Sequence, residues 1–363
     1  MKTKYTVLFL LLFSNLALFA QRAKEATPGL AFSDGVVYSL PRTGVRVYVK
    51  ATQEKFFRGP YYQYAETMLG LKNAPASDSE NWTIDDVKIE TFSEADPKQV
   101  YKAKGSGASL LSLTESGVLA GINKPADGGV ESPVVSTFLG ETKIPDYPFS
   151  DLSLNPFFAK QDSSRRNVIV PKSLQEKAME AAHTITKLRK RRFKSLANGY
   201  DEQLPDGRAY ELMVDELGKL EAEYVALFIG KSYQSTFEYC FDFIPGENSV
   251  SGEVVFRFSE NKGVLPKTDM SGKPIVLDIK KLDDLASAQE KLLSQPTAAS
   301  GVYYRMPGKA EIRMQNGINL MAATRVDLAQ FGTVAPLPEE LLDGNHQVVF
   351  HPKTGGIKSI LQK

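Results

Sequence analysis

The spacing of apolar residues changes twice along the chain. Up to about residue 165 the apolar positions come in short alternating runs: 36–40, 45–49, the Val87/Ile89/Thr91 set, 110–113 and 118–122. Alternation gives a strand one apolar and one polar face, so this stretch reads as β-rich. Pro41 and Gly44 read as a turn between the first two runs. Glu115-Ser116-Gly117 reads as the turn of a hairpin. Gly59-Pro60 opens a short helix through Leu69, which Gly70 ends. Residues 145–166, with Pro145, Pro148 and Pro156, read as an extended connector.

In the middle the period becomes helical. Ser173 and Glu176 have capping-box spacing, and Leu174, Ala178, Ala181, Ile185 and Leu188 follow at gaps of 4, 3, 4 and 3. Asp206 is placed to cap a second helix carrying Tyr210, Met213, Leu217, Leu220, Tyr224 and Leu227, with Gly230 as its stop. Two such seams joined by a short loop predict an antiparallel hairpin over 171–230. Each arm would be roughly 37 Å long.

From about residue 232 alternation returns. Val254/Phe256/Phe258 and Ile275/Leu277/Ile279 are strand-like. Ala310, Ile312 and Met314 are set to pair with Ile318, Leu320 and Ala322 across Asn316-Gly317, and 347–350 with 357–361 across a Pro/Gly turn. A short helix is expected over 282–293. The fold class predicted is α+β: two β-rich, sandwich-like lobes, 22–165 and 232–363, with a long antiparallel helical hairpin between them.

The first twenty residues follow a different grammar. Lys2 and Lys4 precede an apolar run at 7–12, and the stretch closes on Leu18-Phe19-Ala20. That is the pattern of a secretory signal, too short for a membrane span. With no Cys behind it, a lipoprotein anchor is not expected. The chain is therefore predicted to be exported to the periplasm, envelope or exterior, with no transmembrane segment in its mature form.

Composition adds limits. In 363 residues, 44 Lys+Arg stand against 43 Asp+Glu, a balance that argues against a strongly basic nucleic-acid binder. Cys240 is the only cysteine, so no intramolecular disulfide and no Cys-based zinc site is expected. It alternates with Glu238 and Asp242, neighbours that raise a thiol pKa, which favours a packed rather than a reactive thiol. No Gly-x-Ser-x-Gly elbow occurs. Met270-Ser271-Gly272-Lys273 carries Pro274 where a phosphate loop needs Ser or Thr, and Gly105-Ser106-Gly107 lacks the third glycine of a dinucleotide loop. His183 stands alone, and His346 and His351 are set five apart on opposite sides of a strand. No metal or cofactor is implied, and no catalytic residue stands out.

Two features remain. Tyr61 and Tyr62, and Tyr303-Tyr304-Arg305, are the candidates for binding, since aromatic platforms beside a cation suit a glycan or peptide. Lys187-Leu-Arg-Lys-Arg-Arg-Phe-Lys194 holds six cations in eight residues. Acids facing it across the hairpin (Asp201, Glu202, Asp206, Glu211, Asp215 and Glu216) are expected to neutralise it.

Four stretches together resemble a known family: 38–48 (YSLPRTGVRVY), 59–70 (GPYYQYAETMLG), 301–308 (GVYYRMPG) and 329–338 (AQFGTVAPLP). The family is one of secreted bacterial proteins defined as a domain of unknown function, number 4831. The resemblance implies export and an envelope location across nearly the whole mature chain; it carries no catalytic or binding residue. The function expected is a non-catalytic binding or scaffolding module for an envelope protein or glycan. The alternative is a glycan-active hydrolase using an Asp/Glu pair. Export is checked by mass spectrometry of the protein recovered from the periplasm or medium. A mature N-terminus at or within a few residues of Gln21 is expected, and an intact Met1 would contradict the signal.

Overall fold

The structure, a computed structural model, describes residues 31–32, 35–123, 144–150, 152, 157–161, 167–197, 207–282 and 302–362. The signal-like segment, the expected helix over 282–293 and Asp201, Glu202 and Asp206 lie outside the described residues, apart from Leu282 itself.

The chain begins with β1 (Ala31–Phe32) and β2 (Gly35–Phe57), continues through a 3-10 turn at Tyr62–Tyr64 into α1 (Ala65–Leu69), and returns in β3 (Ser79–Ala103). After a second 3-10 turn come β4 (Leu111–Leu113), β5 (Leu119–Ile122), β6 (Phe157–Gln161) and β7 (Asn167–Pro171). Two helices follow, α2 (Leu174–Leu196) and α3 (Arg208–Ile229). The remainder is strand: β8 (Lys231–Phe243), β9 (Val250–Ser259), β10 (Gly263–Leu265), β11 (Lys273–Lys281), β12 (Tyr303–Asn316), β13 (Asn319–Pro336), β14 (His346–Phe350) and β15 (Ile357–Gln362). The molecule is β-rich with few helices.

β2 corrects one expectation. Pro41 and Gly44 form no turn; β2 runs straight through them as a single strand of 23 residues. It pairs antiparallel with β3 along its length and with β8 along its second half. Pro41 lacks an N–H to give the ladder, and the register slips there: Ser39 faces Val100 while Pro41 faces Ala95. The residues skipped on β3 include Asp96.

The separation into lobes at 165 and 232 is not seen either. β8 joins β2, and the sheet β15-β14-β5-β4 mixes strands from both ends of the chain. The apolar face of the β2/β3/β8 sheet supplies Val45, Val47, Val49, Ala51, Trp82 and Phe237 to one core. The antiparallel sheet β10-β9-β11-β12-β13 meets it with Phe256, Ile275, Leu277, Ile279, Ile312 and Phe331. A second core joins Tyr38 and Leu40 of β2 to Leu119, Ile122, Leu337, Val348 and Phe350. A third holds the helices against Phe57 and Tyr61.

The helices lie against each other with opposed chain directions: the Tyr210 hydroxyl donates to Ser195 O (2.8 Å), and Arg189 and Arg192 both reach Glu221. At the start of α2, Ser173 N–H donates to the Glu176 carboxylate and Glu176 N–H to Ser173 Oγ, a complete capping box. The seam is narrower than the heptad spacing predicts. Ala178, Ala181, Ile185, Tyr224 and Leu227 are buried, but Leu174 and Leu220 are largely exposed, and Glu221 is buried in their place. Among the described residues, Glu221 meets Arg189 and Arg192 of the cationic run, while Glu216 holds Lys219.

Between the first two cores β2 carries polar side chains inward. Thr43 is fully buried; its N–H donates to Gln330 Oε1 (3.0 Å) and its hydroxyl to Lys353 O (2.8 Å). It accepts from Ala329 N–H (3.1 Å), and the Gln330 amide donates back to Thr43 O (2.9 Å) and to Pro245 O (3.1 Å). Beside it, Arg305 donates to Pro41 O (3.1 Å) and pairs with Asp96 (3.0 Å). Close backbone approach holds β12 and β13 together here: a methyl on Gly332 would collide with the Met306 carbonyl oxygen.

Removing one member of a buried ion pair strands the other, which costs about 3–5 kcal/mol. Arg305→Ala is therefore expected to destabilise the protein by about that amount in urea unfolding. Arg313→Ala, which removes a half-exposed cation from Glu311, should cost under about 1 kcal/mol. Equal effects would contradict the buried joint.

Candidate functional site

The five sequence candidates divide between two cores. Tyr61 is buried among the helices; its N–H donates to Leu227 O (2.8 Å) and its ring stands edge-on to Phe228 (5.6 Å between centroids). Tyr62, one residue on, lies under the Arg58 guanidinium (5.3 Å). Tyr303, Tyr304 and Arg305 begin β12 beside the second core. The two groups form no single site.

Most of this chemistry is turned inward. Tyr303 stacks on Tyr101 (4.9 Å), which stacks on Tyr38 (5.8 Å). The Tyr38 hydroxyl accepts from Tyr303 N–H (2.6 Å) and faces Tyr303 O (3.3 Å). Burial pushes the Tyr38 phenol up to about 12. Arg305 is only 4 % exposed, so the cation expected to greet a ligand is instead committed to Asp96 and Pro41. Arg305 and Gln330 also wall a polar cavity of about 340 Å³ with Glu247 and Lys281.

Tyr304 is different. Because side chains alternate along β12, it points away from the Tyr303 stack. One side of its ring packs toward Phe350 (6.1 Å), and burial raises its phenol pKa. It also lines an open cleft of about 540 Å³ with Pro307, Asp327, His351, Lys353 and Thr354. These come from β12, β13 and the turn between β14 and β15. The turn is held by His351 N–H donating to Gly356 O (2.7 Å) and by the Lys353 ammonium donating to Thr91 O (3.0 Å). The Lys353 carbonyl is the one that Thr43 grips, so the cleft wall is fixed to the buried joint.

An apolar ring with an acid, a cation, an imidazole and a hydroxyl around it suits a polar ligand with one flat face. Asp327, His351 and Lys353 were not picked out as binding residues by the sequence. They lie in separate strands and turns, and no local spacing announces their meeting.

Among the described residues, the carboxyl groups of Asp269 and Asp343 are held below the usual carboxylate range. The Ser271 N–H is the main cause for the first and the Asn345 N–H for the second, with His346 adding to it. A general acid needs the opposite shift. The Cys240 thiol is pushed up, first by burial and then by Asp242, against a smaller opposing effect of Arg46. Among the described residues no group of three His, Cys, Asp or Glu side chains is placed to hold a metal ion.

A family model described as Domain of unknown function (DUF4831) matches residues 34–358. In comparisons with curated proteins and with solved structures, nothing matches the chain.

The Tyr38 shift has a sign. A phenol whose pKa is raised on folding keeps its full stabilising effect below pH about 10 and loses it as pH rises toward about 12, because the unfolded chain ionises first. Stability from urea melts should therefore fall across that window, and Tyr38→Phe should fall less steeply. Parallel curves for the two proteins would contradict the burial of this hydroxyl.

Proposed function

The chain belongs to the DUF4831 family, and we propose that it serves outside the cytoplasm as a non-catalytic binding module of the cell envelope. In this reading residues 1–20 direct export, the two facing sheets form a sandwich-like frame, and the helical hairpin stands out from it as an arm. The cleft at Tyr304 receives the ligand, and a glycan of the envelope is the class it suits.

One observation carries this reading: Tyr304 is the candidate aromatic residue that opens onto a cleft with a mixed polar rim. Sugars present an apolar C–H face for a ring and hydroxyls for Asp, Lys and His partners, which matches that lining. The frame behind it is rigid because Lys353 and Arg305 are tied into the buried joint, so little ordering is needed on binding.

The test is calorimetric titration of the purified chain with soluble peptidoglycan fragments and envelope oligosaccharides. Binding without turnover is expected, and Tyr304→Ala should weaken it on the order of ten-fold. Binding that ignores Tyr304→Ala would remove the cleft from the account. Glycan cleavage abolished by a single Asp or Glu substitution would replace the module with a hydrolase.

A further inference from the structure

The register break at Pro41 leaves residues 96–99 of β3 without partners on β2, since Ser39 faces Val100 and Pro41 faces Ala95. This segment sends Asp96 to Arg305 and brings Gln99 to the polar cavity of about 340 Å³ that Arg305 and Gln330 wall. The floor of that cavity is fixed. Arg305 donates to Pro41 O and Asp96, and the Gln330 amide donates to Thr43 O and Pro245 O. The rim is the loop between β8 and β9, residues 244–249, and it is pinned at two points. Pro245 O accepts from Gln330, and Ser249 Oγ accepts from the Lys281 N–H (3.0 Å) at the end of β11. Glu247 and Asn248 lie between the two pins and line the cavity.

Charge on this wall is opposed but not paired. Among the described residues no ion pair or hydrogen bond engages the Lys281 ammonium or the Glu247 carboxylate, although both line the same cavity. Asp96 already answers Arg305, which leaves one cation and one anion, with the amides of Gln99 and Asn248 beside them. Among the described residues Val334 is the one apolar side chain in the lining. A sugar ring therefore finds no surface for its C–H face here, unlike in the Tyr304 cleft. A simple anion would satisfy Lys281 and leave Glu247 facing like charge. A small molecule carrying both a carboxylate and an ammonium meets the two at once. The space equals the share of roughly eleven water molecules, enough for such a molecule and some retained water.

We propose that this cavity binds a free small amino acid, its carboxylate on Lys281, its ammonium on Glu247, and the amides of Gln99 and Asn248 as neighbours. The loop is already pinned, so binding orders little beyond two side chains. The cavity shares no lining residue with the Tyr304 cleft and does not rest on the glycan reading.

NMR titration of the full chain at neutral pH with glycine, alanine and serine, against propionate and ethylamine, tests it. The amino acids should bind saturably at millimolar concentration or below, and propionate and ethylamine on the order of ten-fold more weakly. Lys281→Gln should weaken alanine and propionate alike, each roughly ten-fold. Glu247→Gln should weaken alanine by a similar factor yet strengthen propionate, because the repelling carboxylate is gone. Glu247 is exposed and Lys281 half-buried, and unchanged thermal melting confirms that both variants fold. Tyr304→Ala should leave alanine binding intact, which separates a failure here from a failure of the glycan cleft. Absence of saturable amino-acid binding would overturn the proposal. So would propionate binding as tight as that of alanine, or alanine binding that survives both substitutions.

Discussion

The fold depends on how β2 passes from one apolar core to the next. Leu40 belongs to the core with Val348 and Phe350, and Val45 to the core between the two large sheets. The residues between them must carry a strand through a dry interior where Pro41 has interrupted the ladder. Buried backbone groups without partners cost about 1–3 kcal/mol each, so the passage needs side-chain partners at every step. Arg305 takes the Pro41 carbonyl, and Gln330 takes both the N–H and the carbonyl of Thr43. Thr43 in turn gives its hydroxyl to Lys353 O. Strands from the beginning, the later part and the end of the chain meet in this one cluster.

Three of the four stretches that carry the family resemblance meet in that cluster. Of the four distinctive stretches, 38–48 contributes Pro41 and Thr43, 301–308 contributes Arg305, and 329–338 contributes Ala329 and Gln330. The fourth, 59–70, sits in the helix core, where a Cβ on Gly59 would collide with the Leu227 carbonyl. Tyr304, Met306 and Pro307 of the cleft lie in 301–308, while its Asp327, His351, Lys353 and Thr354 lie outside the four stretches.

What could be read in advance follows the range of the forces involved. Ile275, Leu277 and Ile279 alternate and are all buried; Ser173 and Glu176 cap α2; β12 and β13 form the expected hairpin, though its turn is Gly317-Ile318, one residue beyond Asn316-Gly317. Each is decided by neighbours within a few residues. The continuity of β2 was not legible, because the group that rescues Pro41 lies 264 residues away. The burial of Glu221 was hidden for a similar reason, since a carboxylate enters a seam only when two arginines meet it. Ile318 and Leu320 look like core residues by pattern. The turn falls on Gly317-Ile318, with Asn316 paired to Asn319, so Ile318 and Leu320 sit exposed at the hairpin tip. Tyr303 and Arg305 look like a platform by pattern, but Tyr303 stacks on Tyr101 and Arg305 pairs with Asp96, both distant in sequence.

If the polar passage joins the cores, they should lose structure together. Trp82, the single tryptophan, reports on the core between the sheets, while backbone hydrogen exchange in 346–362 reports on the β14–β15 hairpin. The decisive measurement compares the free energy of opening from exchange in that hairpin with the unfolding free energy from Trp82 fluorescence in urea. The joint predicts the same value within error at the slowest-exchanging amides of β14. A hairpin that opens several kcal/mol more easily, while Trp82 stays buried, would show that Thr43, Gln330 and Arg305 sit between the cores without coupling them.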